Sequence, residues 1–198
     1  MWLAALCGAG LGVFAASARA QPRSDDPAPV AASAAAEYFT DVALVNQYGQ
    51  TMRLYTDLIK GRTILVVPFF TSCASACPVM LRTVAALQTR LGDRLGRDAV
   101  IVSLTVDPER DTVERLRAYA EGVSARPGWF FLGGSPANVD LALSKFGLRP
   151  ESPEGHSNLI IVGNEPTGLW KKLFGLADSE AIVRAVERVL DDTGEDGR

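Results

Sequence analysis

Thr63-Ile64-Leu65-Val66-Val67-Pro68-Phe69-Phe70-Thr71-Ser72-Cys73-Ala74-Ser75-Ala76-Cys77-Pro78 is the stretch that decides the fold. Its first half, Thr63 to Phe70, is continuously apolar and rich in β-branched side chains, the pattern of a central strand covered on both faces. Pro68 sets an interruption near the end of that strand. Pro78 keeps Cys77 out of the helical region and itself suits a first helical position, which puts Cys77 at or just before a helix N-terminus. The spacing of Met80, Val84, Leu87 and Leu91 carries that helix to a stop before Gly92. A buried strand running into a helix is the unit of an open α/β sheet, and ligands bind at the edge where the two meet.

Outward from this unit the alternation continues. Toward the N-terminus, Val42, Leu44 and Met52 to Leu54 flank a turn near Gly49, which reads as a hairpin, and a short helix is expected at Tyr55 to Lys60. Toward the C-terminus the pattern predicts a strand at 99–106, a helix from Thr112 to about Glu121, a strand at 129–132 and a helix at 136–146. Strands at 159–162 and 169–174 follow around a turn at Asn164 to Gly168, and a last helix covers 179–190. The order indicates an α/β sandwich: a central, mostly parallel sheet with an N-terminal β-hairpin and flanking helices.

Residues 1–20, MWLAALCGAGLGVFAASARA, form a short apolar run ending in Ala18-Arg19-Ala20, a small-x-small cleavage pattern, and are expected to be a secretory signal peptide. Residues 21–36 mix Pro, Ala, Ser and Asp without periodicity and are expected to be a flexible linker. The domain then spans 37–192, and 193–198 form a polar tail. With 47% hydrophobic and 22% charged residues, the body has enough apolar material for a core without disulfide staples, so its cysteines are free for function. A formal charge of −3 with interspersed signs and no basic stripe argues against nucleic acid as a partner. Export makes the protein periplasmic or otherwise extracytoplasmic; an uncleaved N-terminal segment would tether it to a membrane.

Cys7 leaves with the signal, so the exported chain holds only Cys73 and Cys77, with three residues between them. Three readings of the pair stand side by side: two ligands of one metal ion, a thiol-disulfide exchange pair, and a plain disulfide closing a tiny loop. Redox catalysts of the thioredoxin type use two intervening residues, which argues against the second. So short a loop gains little denatured-state entropy, which argues against the third. His156 is the single histidine and stands in the loop before the strand at 159–162, a loop that can reach the edge carrying the cysteines. Two sulfurs and an imidazole form a soft donor set that suits Cu(I), and Cu(II) with a further ligand; zinc is also compatible. Asp107, followed by Pro108 at the end of an apolar strand, is a candidate to orient a ligand from outside the metal's own shell, or else a turn or cap residue.

The segments Thr71-Ser72-Cys73-Ala74-Ser75-Ala76-Cys77-Pro78, Val106-Asp107-Pro108-Glu109-Arg110-Asp111-Thr112 and His156-Ser157 resemble the SCO/SenC family of copper-binding assembly proteins, with similarity from about Phe39 to the last helix. The resemblance implies a thioredoxin-like fold and a copper ion held by Cys73, Cys77 and His156. It also implies a role in building the copper centre of cytochrome c oxidase, whose subunit would be the copper-receiving partner. A thiol-disulfide reductase acting on a client's cysteines is the alternative activity. Ala74 and Gly155 depart from residues usual in the family, Pro and Asp, without removing a ligand.

Overall fold

The computed structural model describes residues 30–195. The elements are α1 (Val30–Phe39), β1 (Ala43–Asn46), β2 (Thr51–Arg53), a π-helical segment (Leu54–Ile59), β3 (Thr63–Phe69), α2 (Ala76–Leu91), β4 (Ala99–Thr105), α3 (Val113–Gly122), β5 (Trp129–Gly133), α4 (Pro136–Phe146), β6 (Leu159–Asn164), β7 (Leu169–Phe174) and α5 (Ser179–Leu190). The expected signal segment, residues 21–29 of the expected linker and the last three residues lie outside the described residues.

Seven strands form one sheet in the order β2-β1-β5-β4-β3-β6-β7. The sheet is not the mostly parallel one expected, because parallel pairing is confined to its middle: β3 runs parallel to β4 from Thr63 opposite Ala99 to Phe69 opposite Thr105, and β4 runs parallel to β5. The hairpin β1–β2 joins antiparallel through β1 to β5, and β6 and β7 complete the other side antiparallel to β3 and to each other. Every residue of β3 and β4 is buried, so helices cover both faces of the sheet, as the unbroken apolar runs require. α2 packs with α5, and α1 with α4.

Pro68 does not end β3; it pairs in register with Leu104. The carbonyl of Phe69 accepts from Val106 N on the β4 side, so a backbone N–H at residue 68 would point toward β6. The β6 ladder has already stopped at Val66 opposite Ile161, and the missing proline N–H costs no ladder bond.

The expected linker ends earlier than residue 36, because α1 begins at Val30. VAASAAAEYF is rich in alanine, the strongest helix former. Its last residue, Phe39, is buried with its ring 5.3 Å from that of Phe146 and 5.0 Å from that of Trp170. That packing gives the helix a tertiary anchor which composition alone does not reveal.

Candidate metal centre

The sheet edge at the C-terminal ends of β3 and β4 brings Cys73, Cys77 and His156 together. One ligand atom from each, the two Sγ and a ring nitrogen, all lie within 4.8 Å of one another. Among the described residues both cysteines are free thiols. Cys77 occupies the first turn of α2 and is 1% exposed, packed into the core. Cys73 sits in the loop between β3 and α2, half-buried, with its N–H donating to the carbonyl of Phe70 at 3.1 Å. Its Sγ accepts from the Cys77 N–H at 3.4 Å. The helix therefore starts at Ala76, two residues before Pro78, and its free amides face the sulfur of Cys73 rather than that of Cys77.

A cysteine at a helix N-terminus is ordinarily drawn toward the thiolate, but Cys77 is not. Burial, reinforced by the hydrogen bond with Cys73, pushes the Cys77 thiol up to about 12. Cys73 moves the other way. Burial alone would raise it, but hydrogen bonds from the Cys77 side chain and from the amides of Cys77, Ser75 and Ala76 hold it below the ordinary thiol value. Cys73 is the more acidic thiol of the pair, and Cys77 is the one that keeps its proton.

His156 follows a 3₁₀ turn, Pro153–Gly155, capped by Ser152, whose hydroxyl accepts from Gly155 N at 3.3 Å. Its Nδ1 lies 3.1 Å from the carbonyl oxygen of Ser157, and a carbonyl can only accept. Nδ1 therefore carries the proton in the neutral ring, and Nε2 presents a lone pair 3.6 Å from Cys77 Sγ. The edge of Phe70 fixes the ring plane, with centroids 5.5 Å apart and planes at 83°. Gly175 ties the neighbouring backbone down. Its N–H donates to Asn158 O at 2.7 Å, and a Cβ there would lie 2.9 Å from Met80 Cε. Only glycine lets the end of β7 approach both α2 and the histidine loop this closely.

A metal ion bonds such donors at roughly 2.0–2.3 Å, and donors that already lie within 4.8 Å of one another are close to the spacing this requires. The donor chemistry fits a soft ion: two sulfurs, one of them already favouring the thiolate, and an imidazole nitrogen with its lone pair free. A cleft of about 420 Å³ lined by Phe70, Ser72, Cys73, Glu154, His156 and Asn158 leads to the site from outside. Cys73 and His156 line this opening, whereas Cys77 is buried and does not line it.

Asp107 is buried at the same edge, but its carboxylate takes the Arg110 guanidinium at 3.2 Å, and its N–H donates to Thr105 Oγ1 at 3.0 Å. The carboxylate that reaches the cysteine loop is Asp111. It accepts from Thr71 N at 3.2 Å with both oxygens and from the Thr71 and Thr105 hydroxyls. Nothing in the sequence alone distinguishes Asp111 from Asp107 as the residue that reaches this loop. The available signal was a second aspartate in one five-residue turn after a core strand. Tyr119 is a further unforeseen neighbour. Burial, then the nearby charges of Cys77, Cys73 and Asp111, push its hydroxyl up to about 12.

The SCO1/SenC family profile matches residues 30–191, a span that contains the whole sheet and all three donors. The chain belongs to the SCO1/SenC family. The SCO1 protein homolog of Bacillus subtilis is 32% identical over 118 residues, which is 58% of this chain and 60% of that protein, so the chain spans less than two thirds of that relative's length. The structure of BsSco, a member of the Sco family of cytochrome c oxidase assembly proteins with a disulfide switch, is 26% identical. It superposes with a TM-score of 0.61 over 75% of this chain and 91% of its own. Arabidopsis thaliana ScoI, solved with copper bound, shares the fold at a TM-score of 0.61 and 23% identity, over 75% of this chain and 94% of that one. The SCO-type thioredoxin-like sandwich expected from the sequence is the fold of this chain.

Proposed function

We propose that this SCO1/SenC protein is an exported copper metallochaperone that takes one copper ion on Cys73, Cys77 and His156 and passes it to a client. The observation that carries the reading is the convergence of two thiols and a lone-pair-bearing Nε2 within 4.8 Å, beside a cleft. The ion is cargo, and the chain's own residues perform the steps. Cys73 and His156, at the mouth, receive it, and Cys77 releases its proton as its sulfur closes the shell. For delivery, donors of the client enter through the same mouth and replace Cys73 and His156 first. The client is a copper protein, by family likeness a cytochrome c oxidase subunit. The apolar segment at 1–20 supports export to the periplasm or an equivalent compartment, with a membrane tether if it is retained.

A second reading has its own observation: a half-buried, thiolate-favouring Cys73 next to a protonated Cys77 is also the arrangement of an attacking and a resolving thiol. Complementation in a cell separates the two. His156→Ala keeps both thiols, so its dithiol oxidises reversibly, yet it fails to support the copper enzyme if delivery is the task. Support equal to the parent's, with either cysteine variant failing, would establish the reductase reading instead.

A further inference from the structure

Asp111 is 4% exposed, and among the described residues no ion pair includes it. A buried carboxylate without a cation is costly unless hydrogen bonds replace its water. Here three donor groups do so, and two of them belong to Thr71, 40 residues away in sequence and two residues before Cys73. The third is the hydroxyl of Thr105, whose oxygen also receives the Asp107 N–H. Asp111 is itself fixed by its own N–H, which donates to Asp107 O at 2.9 Å. The carboxylate thus joins the end of β4 and the start of α3 to Thr71, near the start of the loop that carries Cys73.

The geometry points to Asp111 as the positioning residue of this centre: through Thr71 it holds the Cys73 loop at the height where Cys73 Sγ meets Cys77 and His156. It touches no ligand and acts only through the loop. The inference rests on the reading of these three residues as a copper site, and its second arm does not need copper. Without the clamp, the Cys73 sulfur is still held by the helix amides and the Cys73 N–H bond to Phe70, but the loop loses its tie to the turn between β4 and α3.

The test uses Asp111→Asn, Thr71→Val and Thr71→Ser in the whole chain, with Thr112→Ala as a control that weakens α3 from the same turn. Two constants are read. One is the affinity for copper against a competing chelator. The other is the equilibrium of the Cys73–Cys77 disulfide with dithiothreitol. In that exchange the two cysteine thiols give two electrons and two protons to oxidised dithiothreitol, forming one S–S bond and leaving dithiothreitol as its dithiol. Asp111→Asn is expected to weaken copper at least tenfold and shift the disulfide equilibrium at least fivefold. Thr71→Val is expected to shift both in the same direction, and Thr71→Ser, which restores the hydroxyl, to return both to within twofold of the parent. Thr112→Ala is expected to lower the melting temperature and leave both constants within twofold.

Both constants unchanged in Asp111→Asn and Thr71→Val, or a shift in Thr112→Ala as large as theirs, would overturn the assignment. If Asp111→Asn does not fold, the Thr71 pair decides. A parent chain that takes no copper refutes the copper reading, while the disulfide equilibrium still tests the clamp.

Discussion

The two cysteines differ by four positions in sequence and by nearly everything else. Cys77 is part of a helix, sealed in the core beside Met80 and Leu81, and burial keeps its proton on. Cys73 rides a loop at the mouth of a cleft, receives the helix amides and favours the thiolate. His156 is on the loop side of this division too, at the end of a 3₁₀ turn rather than on a strand. A centre that must both hold and release an ion gains from this asymmetry. One ligand is fixed by the core, and the two that line the opening are reached first by whatever comes to collect.

Replacing each thiol in turn breaks the comparison most severely. Cys73→Ser and Cys77→Ser should both abolish tight copper binding, because two donors leave an open shell. Their stabilities should diverge. A hydroxyl buried at position 77 without a full set of partners costs roughly 1–3 kcal/mol, about 2–10 °C in melting temperature for a chain of this size. At position 73 the change should stay within about 0.5 kcal/mol. Calorimetry of the reduced, metal-free variants measures the difference. Equal losses would mean that the two sites are not buried differently.

A pH titration of stability sharpens the same contrast. The folded Cys77 thiol holds its proton up to about 12, whereas an unfolded thiol releases it near 9.0. Its contribution is therefore complete below pH 9.0 and is lost as the pH rises toward 12. The reduced, metal-free parent should lose melting temperature over that window more steeply than Cys77→Ser does; Tyr119 adds a loss of the same sign to both. Identical slopes would remove the burial argument. The smallest effect should come far from the site. Asp178 caps α5 by accepting from Ala181 N at 2.9 Å, and Asp178→Ala should cost about 1 kcal/mol while copper affinity stays unchanged.

Most of the frame was legible in the sequence because its signals are local. β7, α4 and α5 begin and end at the residues that alternation, capping and helical spacing mark. The approach of His156 to Cys73 and Cys77 was also legible, since only a few loops can reach that edge of an α/β sheet. Three features were not. Which strands pair antiparallel at the flanks is a property of the whole sheet, and no single stretch states it. Whether Asp107 or Asp111 faces the cysteine loop depends on how one turn is wound, and the two carboxylates are chemically alike. The thiol state of Cys77 is set by burial as well as by the helix end, and burial outweighs the amides because these are aimed at Cys73.

The central claim is a three-ligand copper site that joins a core thiol to two groups at the mouth, and metal analysis of His156→Ala tests it most directly. The reduced, full-length parent and the variant are given excess copper, passed through a chelating column and assayed for metal per chain. One copper per parent chain, with most of it lost from His156→Ala while both free thiols are still counted, is the expected result. One full equivalent retained by His156→Ala would contradict the claim.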